Sequence, residues 1–459
     1  MPADKQRFLA PAAWVGGAWA HDVLLTVAPD GRWSEITPDA PSEMRQGAVT
    51  LAGPVLPGLV DGHSHAFQRA IAGLTERSQD GEEDFWSWRD RMYSAAHRVT
   101  PGQLEAIAAF LYAELLQAGY TQVCEFHYLH NDPQGRPYAE PGEMALALVR
   151  AAQRVGIGLT LLPTLYMRSG FGASGLREDQ RRFGSTPDSV LRIAKETMRQ
   201  AGEGSGITAG IALHSLRAVD KGALREAAAA AGAEMPIHIH IAEQRREVED
   251  CIALHGRGPV EWLCEHVDVD ARWNMVHATH CTPAELEELR NRRASIVLCP
   301  STEANLGDGI FDLPAWLGQS GNWSIGSDSH VTRSWQEELR LLEYSQRLGL
   351  RQRNVAARAA LCESTATALF QGALEGGTAA AGLPLGGLAQ GQRADFLVVD
   401  TESPSLLAVP ADHLLDALVF SSPDARFAQV FVAGRRVLAE GAQTGLAQGM
   451  REAMQALWR

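Results

Sequence analysis

The 459-residue chain carries fifteen histidines, and several fall in short runs close to a carboxylate. Asp61-Gly62-His63-Ser64-His65 sets two imidazoles two positions apart. On a strand, residues i and i+2 share a face, so His63 and His65 can grip one ion, and imidazole nitrogen binds zinc at about 2.0–2.1 Å. One His-x-His pair is a weak signal alone. The run His238-Ile239-His240-Ile241-Ala242-Glu243 repeats the spacing. His240 lies nearer the end of its apolar run and is the better ligand. His238 sits one layer deeper and reads as a packed, hydrogen-bonded core histidine. Glu243 falls on the turn beyond, where a carboxylate can stand beside a metal without binding it, as a proton shuttle must. In Val276-His277-Ala278-Thr279-His280, His277 holds a functional position at a strand tip, whereas His280 in the loop reads as structural. Gly326-Ser327-Asp328-Ser329-His330 offers Asp328 as an oxygen ligand that can also take a proton from water.

These runs need a scaffold that brings distant segments to one place. Eight short apolar segments read as strands: 55–61, 121–126, 158–165, 207–213, 236–241, 274–278, 295–299 and 323–326. Helix signals lie between them. Thr100-Pro101-Gly102-Gln103, Thr282-Pro283-Ala284-Glu285 and Ser334-Trp335-Gln336-Glu337 are helix starts, and Gly119 and Gly156 are helix stops. Strand and helix alternating eight times predict an α/β chain with a (β/α)8 TIM-type barrel. In such a barrel chemistry sits at the C-terminal ends of the strands, and the four runs fall at the ends of strands one, five, six and eight. Outside the barrel, Trp14–Trp19 and Val23–Val27 read as strands beside a Pro29-Asp30-Gly31 turn. Residues 391–400 and 428–433 read likewise. The expected organisation is a barrel over 54–384 and a small discontinuous β-sandwich domain made by both termini, 1–53 and 385–459.

Composition narrows the partners. Forty-one Lys and Arg against fifty-five Asp and Glu give a net charge of −14. No general nucleic-acid surface is expected on so acidic a chain. No run of about 18 apolar residues suggests a membrane span, and the first residues lack the apolar stretch of a signal peptide. Six cysteines without a C-x-x-C pair argue against a disulfide scaffold or a thiolate zinc site and for a reducing, cytoplasmic setting.

The joint pattern is far more specific than its pieces. It resembles the amidohydrolase superfamily over nearly the whole chain, including Ala394-Asp395-Phe396-Leu397-Val398-Val399-Asp400 near the C-terminus. Many members hold two metals bridged by a carboxylated lysine at the end of strand four. Here that strand ends Ala212-Leu213-His214-Ser215-Leu216-Arg217, with no lysine before Lys221. A one-metal site follows, with His63, His65, His240 and Asp328 as ligands for one Zn2+ per chain; Fe2+ or Mn2+ also suit such a set. The His240/Glu243 spacing resembles the mononuclear deaminases, in which water replaces an amino or imino group and ammonia leaves. The resemblance implies Glu243, His277 and Asp328 as catalytic groups and a homodimer as the assembly.

Segments 60–69, 85–89, 125–130, 213–217, 238–244 and 327–330 resemble the branch that acts on a linear amidine carried by a small dicarboxylate. The resemblance implies that Gln68, Arg89, Tyr128, His214 and Arg217 bind the carboxylate-bearing part. Arginines and a tyrosine at the mouth of an acidic protein's barrel fit a small anionic substrate. Arg168 is a weaker candidate, Trp86 and Trp88 read as packing, and His127 and His130 as loop structure. Two other readings compete: deamination of a flat heterocycle such as guanine or an adenosine derivative, and a metal-dependent binding or sensing module without catalysis.

Overall fold

Continuous apolar runs suit strands covered on both faces, and eight of them form a parallel barrel. The computed structural model describes residues 5–77, 85–140, 142–202, 204–437 and 442–458. Its barrel strands are β1 (Leu59–Ser64), β2 (Tyr120–His127), β3 (Gly158–Leu165), β4 (Ile211–Ser215), β5 (Ile237–Ile241), β6 (Trp273–His277), β7 (Ser295–Leu298) and β8 (Trp323–Ile325), each beside the next in chain order. Among all their residues only His214 is not buried. That exception marks the open end of the barrel.

The ring closes between β8 and β1, and the closure is built from site residues. Asp328 N–H donates to the His63 carbonyl (2.9 Å), and His65 N–H donates to the Asp328 carbonyl (3.2 Å). Buried Asp61 accepts from the Ser327 amide (2.8 Å) and hydroxyl (2.6 Å). Gly326 lets the two strands approach. A Cβ there would stand 2.6 Å from His63 Cβ and 2.7 Å from its backbone nitrogen.

At the opposite end the helix Thr365–Ala381 plugs the barrel. The last carbonyls of a helix have no partner within it. Here Ala381 accepts from Thr160 Oγ1 (3.1 Å), Ala380 faces His238 Nε2 (2.9 Å), and Ala379 accepts from Asn274 Nδ2 (3.4 Å). His238 is therefore the hydrogen-bonded core histidine its depth implied.

The helix signals act as expected. Thr100 with Gln103 and Thr282 with Glu285 form capping boxes, Ser334 Oγ accepts from the Glu337 amide, and Gly119 and Gly156 end their helices with positive φ. The strand bounds need three corrections. Residues 55–61 are not one strand: Val55–Pro57 pairs antiparallel with Phe396–Val399, and β1 starts only at Leu59. Residues 207–213 divide into Ile207–Ala209 and β4. Trp14–Trp19 straddles a hairpin turn at Gly16-Gly17, between the strands Gln6–Val15 and Ala18–Val27.

Both termini build one eight-stranded, mostly antiparallel sheet. Its core stacks Phe396 on Phe431 (4.2 Å between ring centroids) with Phe8 edge-on to both. The segment 385–459 is not purely β, because it also carries the helix Ala442–Trp458. Leu446, Met450, Ala453 and Leu457 are buried at helical spacing, and Trp458 Nε1 donates to the Ala70 carbonyl (3.2 Å). No helix among the described residues is long and apolar enough to cross a membrane.

Candidate active site

Local irregularities at the strand ends aim the site residues. In β1 the register against β2 slips between Asp61 and Ser64, the signature of an extra residue. Glu125 of β2 then anchors the exit from β1, accepting from Ser64 Oγ (2.8 Å) and the Ala66 amide (2.6 Å). In β4 the register against β5 slips at His214. This bulge leaves the His214 side chain in the barrel mouth and points its carbonyl at His240 Nδ1 (2.9 Å). Ala242, His277, Ala278 and Asp328 all take positive φ of 48–70°. Such backbone is uncommon outside glycine, and here it recurs at three strand tips around one point.

That point is the meeting place of three imidazoles. His63 Nε2 lies 3.1 Å from His65 Nε2 and 3.0 Å from His240 Nε2. A carbonyl only accepts, so the nitrogen facing it carries the proton. His65 Nδ1 faces the Phe126 carbonyl (2.8 Å) and His240 Nδ1 faces that of His214, leaving both Nε2 atoms with bare lone pairs. Burial depresses all three pKa values, that of His65 to about 3. One proton on His63 Nε2 could satisfy one neighbour and leave the other opposed. A divalent cation satisfies all three. Nitrogens about 2.0–2.1 Å from a tetrahedral ion stand about 3.4 Å apart, close to the spacing seen. Asp328 Oδ1 adds a fourth donor, 3.5 Å from His65 Nε2 and 3.7 Å from His63 Nε2. The donor set thus fits a metal.

Beside this cluster stands an acid–base group. His277 Nε2 is 3.7 Å from Glu243 Oε1 and 3.8 Å from Asp328 Oδ2, while its Nδ1 is 3.2 Å from Glu303 Oε1. Burial opposes a charge on His277, yet Glu243, Glu303 and Asp328 together outweigh it and lift its pKa to about 10. Burial raises Asp328 to about 7, against the pull of His277.

One cavity joins these groups to all five residues expected to bind the carboxylate-bearing part. Gln68, Arg89, Tyr128, His214 and Arg217 line it together with His65, His240, Glu243, His277 and Asp328; His63 lies buried beneath. Arg217 Nη2 is 3.7 Å from Glu243 Oε2. Gln68 Nε2 donates to the Tyr128 hydroxyl (3.0 Å). Arg89 belongs to the helix Phe85–Arg98, not to a loop, with its guanidinium 5.6 Å from the Tyr93 ring. Trp88 lines the cavity too; the side chain of Trp86 lies outside the described residues.

Arg168 does not line this cavity. It donates to the carbonyls of Leu216 (2.8 Å), Arg217 (3.1 Å) and Val219 (2.9 Å), bracing the loop that carries Arg217. His130 is tied to the Thr164 carbonyl (2.8 Å) with His127 beside it, and His280 to the Asp308 carbonyl (2.8 Å). Glu303 and Glu125 escaped the sequence reading. Glu303 follows β7, the one late strand whose tip carries no histidine or aspartate. Glu125 was visible only as part of an apolar strand.

An imidazole cluster fit to hold a metal, a buried carboxylate–imidazole group and a cavity joining them, all at the C-terminal mouth of a barrel, point to a class. Residues 55–437 match the Amidohydrolase family, and the chain belongs to it. It is a hydrolase of C–N bonds. The chain is 46% identical over 448 residues to formimidoylglutamate deiminase of Pseudomonas aeruginosa, covering 98% of each. The crystal structure of an amidohydrolase from Brucella melitensis superposes with a TM-score of 0.92 at 40% identity, over 99% of this chain and all of that one. More distant is a 5-methylthioadenosine/S-adenosylhomocysteine deaminase of Halobacterium salinarum, 28% identical over 78% of this chain and 76% of its own.

Proposed function

We propose that the chain hydrolyses N-formimino-L-glutamate to N-formyl-L-glutamate and ammonia, a step of histidine degradation. The observation that carries this reading is the single cavity in which the imidazole cluster and the Glu243–His277–Asp328 group face two arginines. A substrate with an amidine at one end and two carboxylates at the other matches those two poles. The 46% relative bears the corresponding name.

His63, His65, His240 and Asp328 would hold one Zn2+ ion, which when bound supplies the Lewis acidity that makes water nucleophilic near neutral pH. Arg217 and Arg89, with Gln68, Tyr128 and His214, hold the dicarboxylate and point the formimino carbon at the cluster. Asp328 faces both the imidazoles and His277, so it accepts the proton of the attacking water. His277, oriented by Glu303, donates a hydrogen bond to the oxygen that gains charge. Glu243 stands between His277 and Arg217 and delivers a proton to the departing nitrogen. An amidine nitrogen leaves poorly until protonated, so this acid is required. Water adds across the C=N bond, the C–N bond breaks, and the formyl product and ammonia separate. On this reading residues 54–384 are the catalytic unit and 1–53 with 385–459 its support, and the enzyme works in the cytoplasm as a homodimer.

The test is ammonia release from formiminoglutamate, guanine and adenosine derivatives by zinc-loaded protein. Turnover of formiminoglutamate alone is the expected result. Preference for a purine would reject the substrate assignment.

A further inference from the structure

Aromatic rings make up much of the cavity wall. Phe183 lies buried among them, 5.5 Å from the Tyr93 ring, 5.1 Å from that of Tyr128 and 5.4 Å from that of Tyr166, and all four line the cavity. Tyr166 directly follows β3, and its ring packs 4.3 Å from that of His214. Tyr93 comes from the helix Phe85–Arg98, one turn beyond Arg89, so the two share a helix face. Both tyrosines thus stand among residues assigned to the carboxylate-bearing part, yet their hydroxyls have no part in the chemistry above.

Those two hydroxyls share one partner. Gln180 is fully buried in the short 3-10 helix Glu178–Phe183, and its Nε2 lies 3.1 Å from the Tyr93 hydroxyl and 3.1 Å from the Tyr166 hydroxyl. Its orientation is fixed from the other end. The Arg177 amide donates to Gln180 Oε1 (3.0 Å). A backbone N–H can only donate, so the atom facing it is the oxygen and the nitrogen faces the tyrosines. An amide nitrogen only donates as well, so both hydroxyls accept from it and each keeps its own proton to give. Burial first, then the adjacent Tyr93 hydroxyl, raises the Tyr166 pKa well above the ordinary phenol range, so Tyr166 stays a neutral donor. Even with one hydroxyl turned on the other, the pair has a proton left for the cavity. Gln68 treats Tyr128 in the same way, donating to its hydroxyl (3.0 Å).

We propose that Tyr93 and Tyr166, positioned by Gln180, are further substrate-binding donors that hold one carboxylate and so help to select a dicarboxylate, an extension that rests on the substrate reading above. A carboxylate only accepts, so it takes the protons that Gln180 leaves free, and hydrogen bonds to a charged group are the stronger kind. A site whose buried donors await an anion also rejects an analogue without it, because those donors are then left unpaired.

The test compares zinc-loaded wild type with Tyr93→Phe, Tyr166→Phe and Gln180→Glu, with Tm and zinc content measured on each. Each phenylalanine variant should raise KM for formiminoglutamate about tenfold, the lower end for a hydrogen bond to a charged group, while kcat changes little, as befits binding felt alike before and during the reaction. Gln180→Glu keeps an acceptor for the Arg177 amide but turns a second acceptor on the hydroxyls and draws their protons out of the cavity, so its KM should rise at least as far. Formiminoglycine and N-formimino-4-aminobutyrate each lack one carboxylate, and with one of them the Tyr93→Phe penalty should largely disappear. A merely structural brace would cost all three substrates alike. Equal penalties on all three, or an unchanged KM in both phenylalanine variants, would overturn the proposal. Calorimetric titration of glutarate gives a readout free of turnover, and its affinity should fall about tenfold in each phenylalanine variant by the same reckoning. If it falls so while wild type releases no ammonia from formiminoglutamate, the tyrosine pair stands and the substrate reading falls. Glutarate bound as tightly by both phenylalanine variants as by wild type, or not bound by wild type at all, would remove the pair from the site.

Discussion

Arg217→Met is the most discriminating test of the carboxylate pole. Arg217 is 9% exposed and lines the cavity beside Glu243. Burial works against its charge, but Glu247 and Glu243 outweigh that and raise its pKa, so it is a cation at any working pH. Methionine keeps much of the stem and removes the charged fork. A hydrogen bond to a charged group contributes about 1.5–3 kcal/mol net. At about 1.4 kcal/mol per tenfold, kcat/KM should fall by about 10- to 150-fold. Most of the loss should appear in KM, because the carboxylate is bound alike before and during the reaction. Some should appear in kcat, because Glu243 loses a neighbour 3.7 Å away. The assay is coupled ammonia release, with zinc measured on the same samples. Formiminoglycine and N-formimino-4-aminobutyrate, each lacking one carboxylate, complete a double cycle, and in one of them the penalty for the substitution should largely disappear. Zinc content unchanged with KM and kcat/KM also unchanged would refute the placement of a carboxylate at Arg217.

Three further outcomes are expected. Glu243→Gln should keep its metal and lose about 10²- to 10⁴-fold in kcat, the usual worth of a positioned acid; wild-type turnover would remove Glu243 from the proton path. Chelation should abolish ammonia release, zinc should restore it, and elemental analysis should read about one ion per chain from the four-ligand set; two tightly held ions would contradict the one-metal reading. Gly326→Ala should drive a methyl into His63, 2.6–2.8 Å from its Cβ and backbone, where overpacking costs about 1–3 kcal/mol. A lower Tm together with reduced zinc content is the expected result, and an unperturbed protein would mean that β1 and β8 are not held as closely as described.

Much of this molecule was legible along the chain. Strand tips are local objects: an apolar run, a polar residue where it ends, then a helix start. So His63, His65, His240, His277 and Asp328 could be placed at barrel ends from spacing alone, and the capped helices at Thr100, Thr282 and Ser334 could be read from three or four residues each. His238 could be set apart from His240 by depth, and it does serve the plug at the far end. What spacing could not reveal depends on contacts between segments far apart in sequence. That Val55–Pro57 leaves the barrel is decided by its partner Phe396–Val399, some 340 residues on. That His214 faces the cavity is decided by a slip of β4 against β5. Glu303 acquires meaning only because β7 lies next to β6 and brings its carboxylate to His277. A strand's side-chain alternation is written in its own residues, whereas register, bulges and the approach of one loop to another are set by whichever neighbours the barrel supplies.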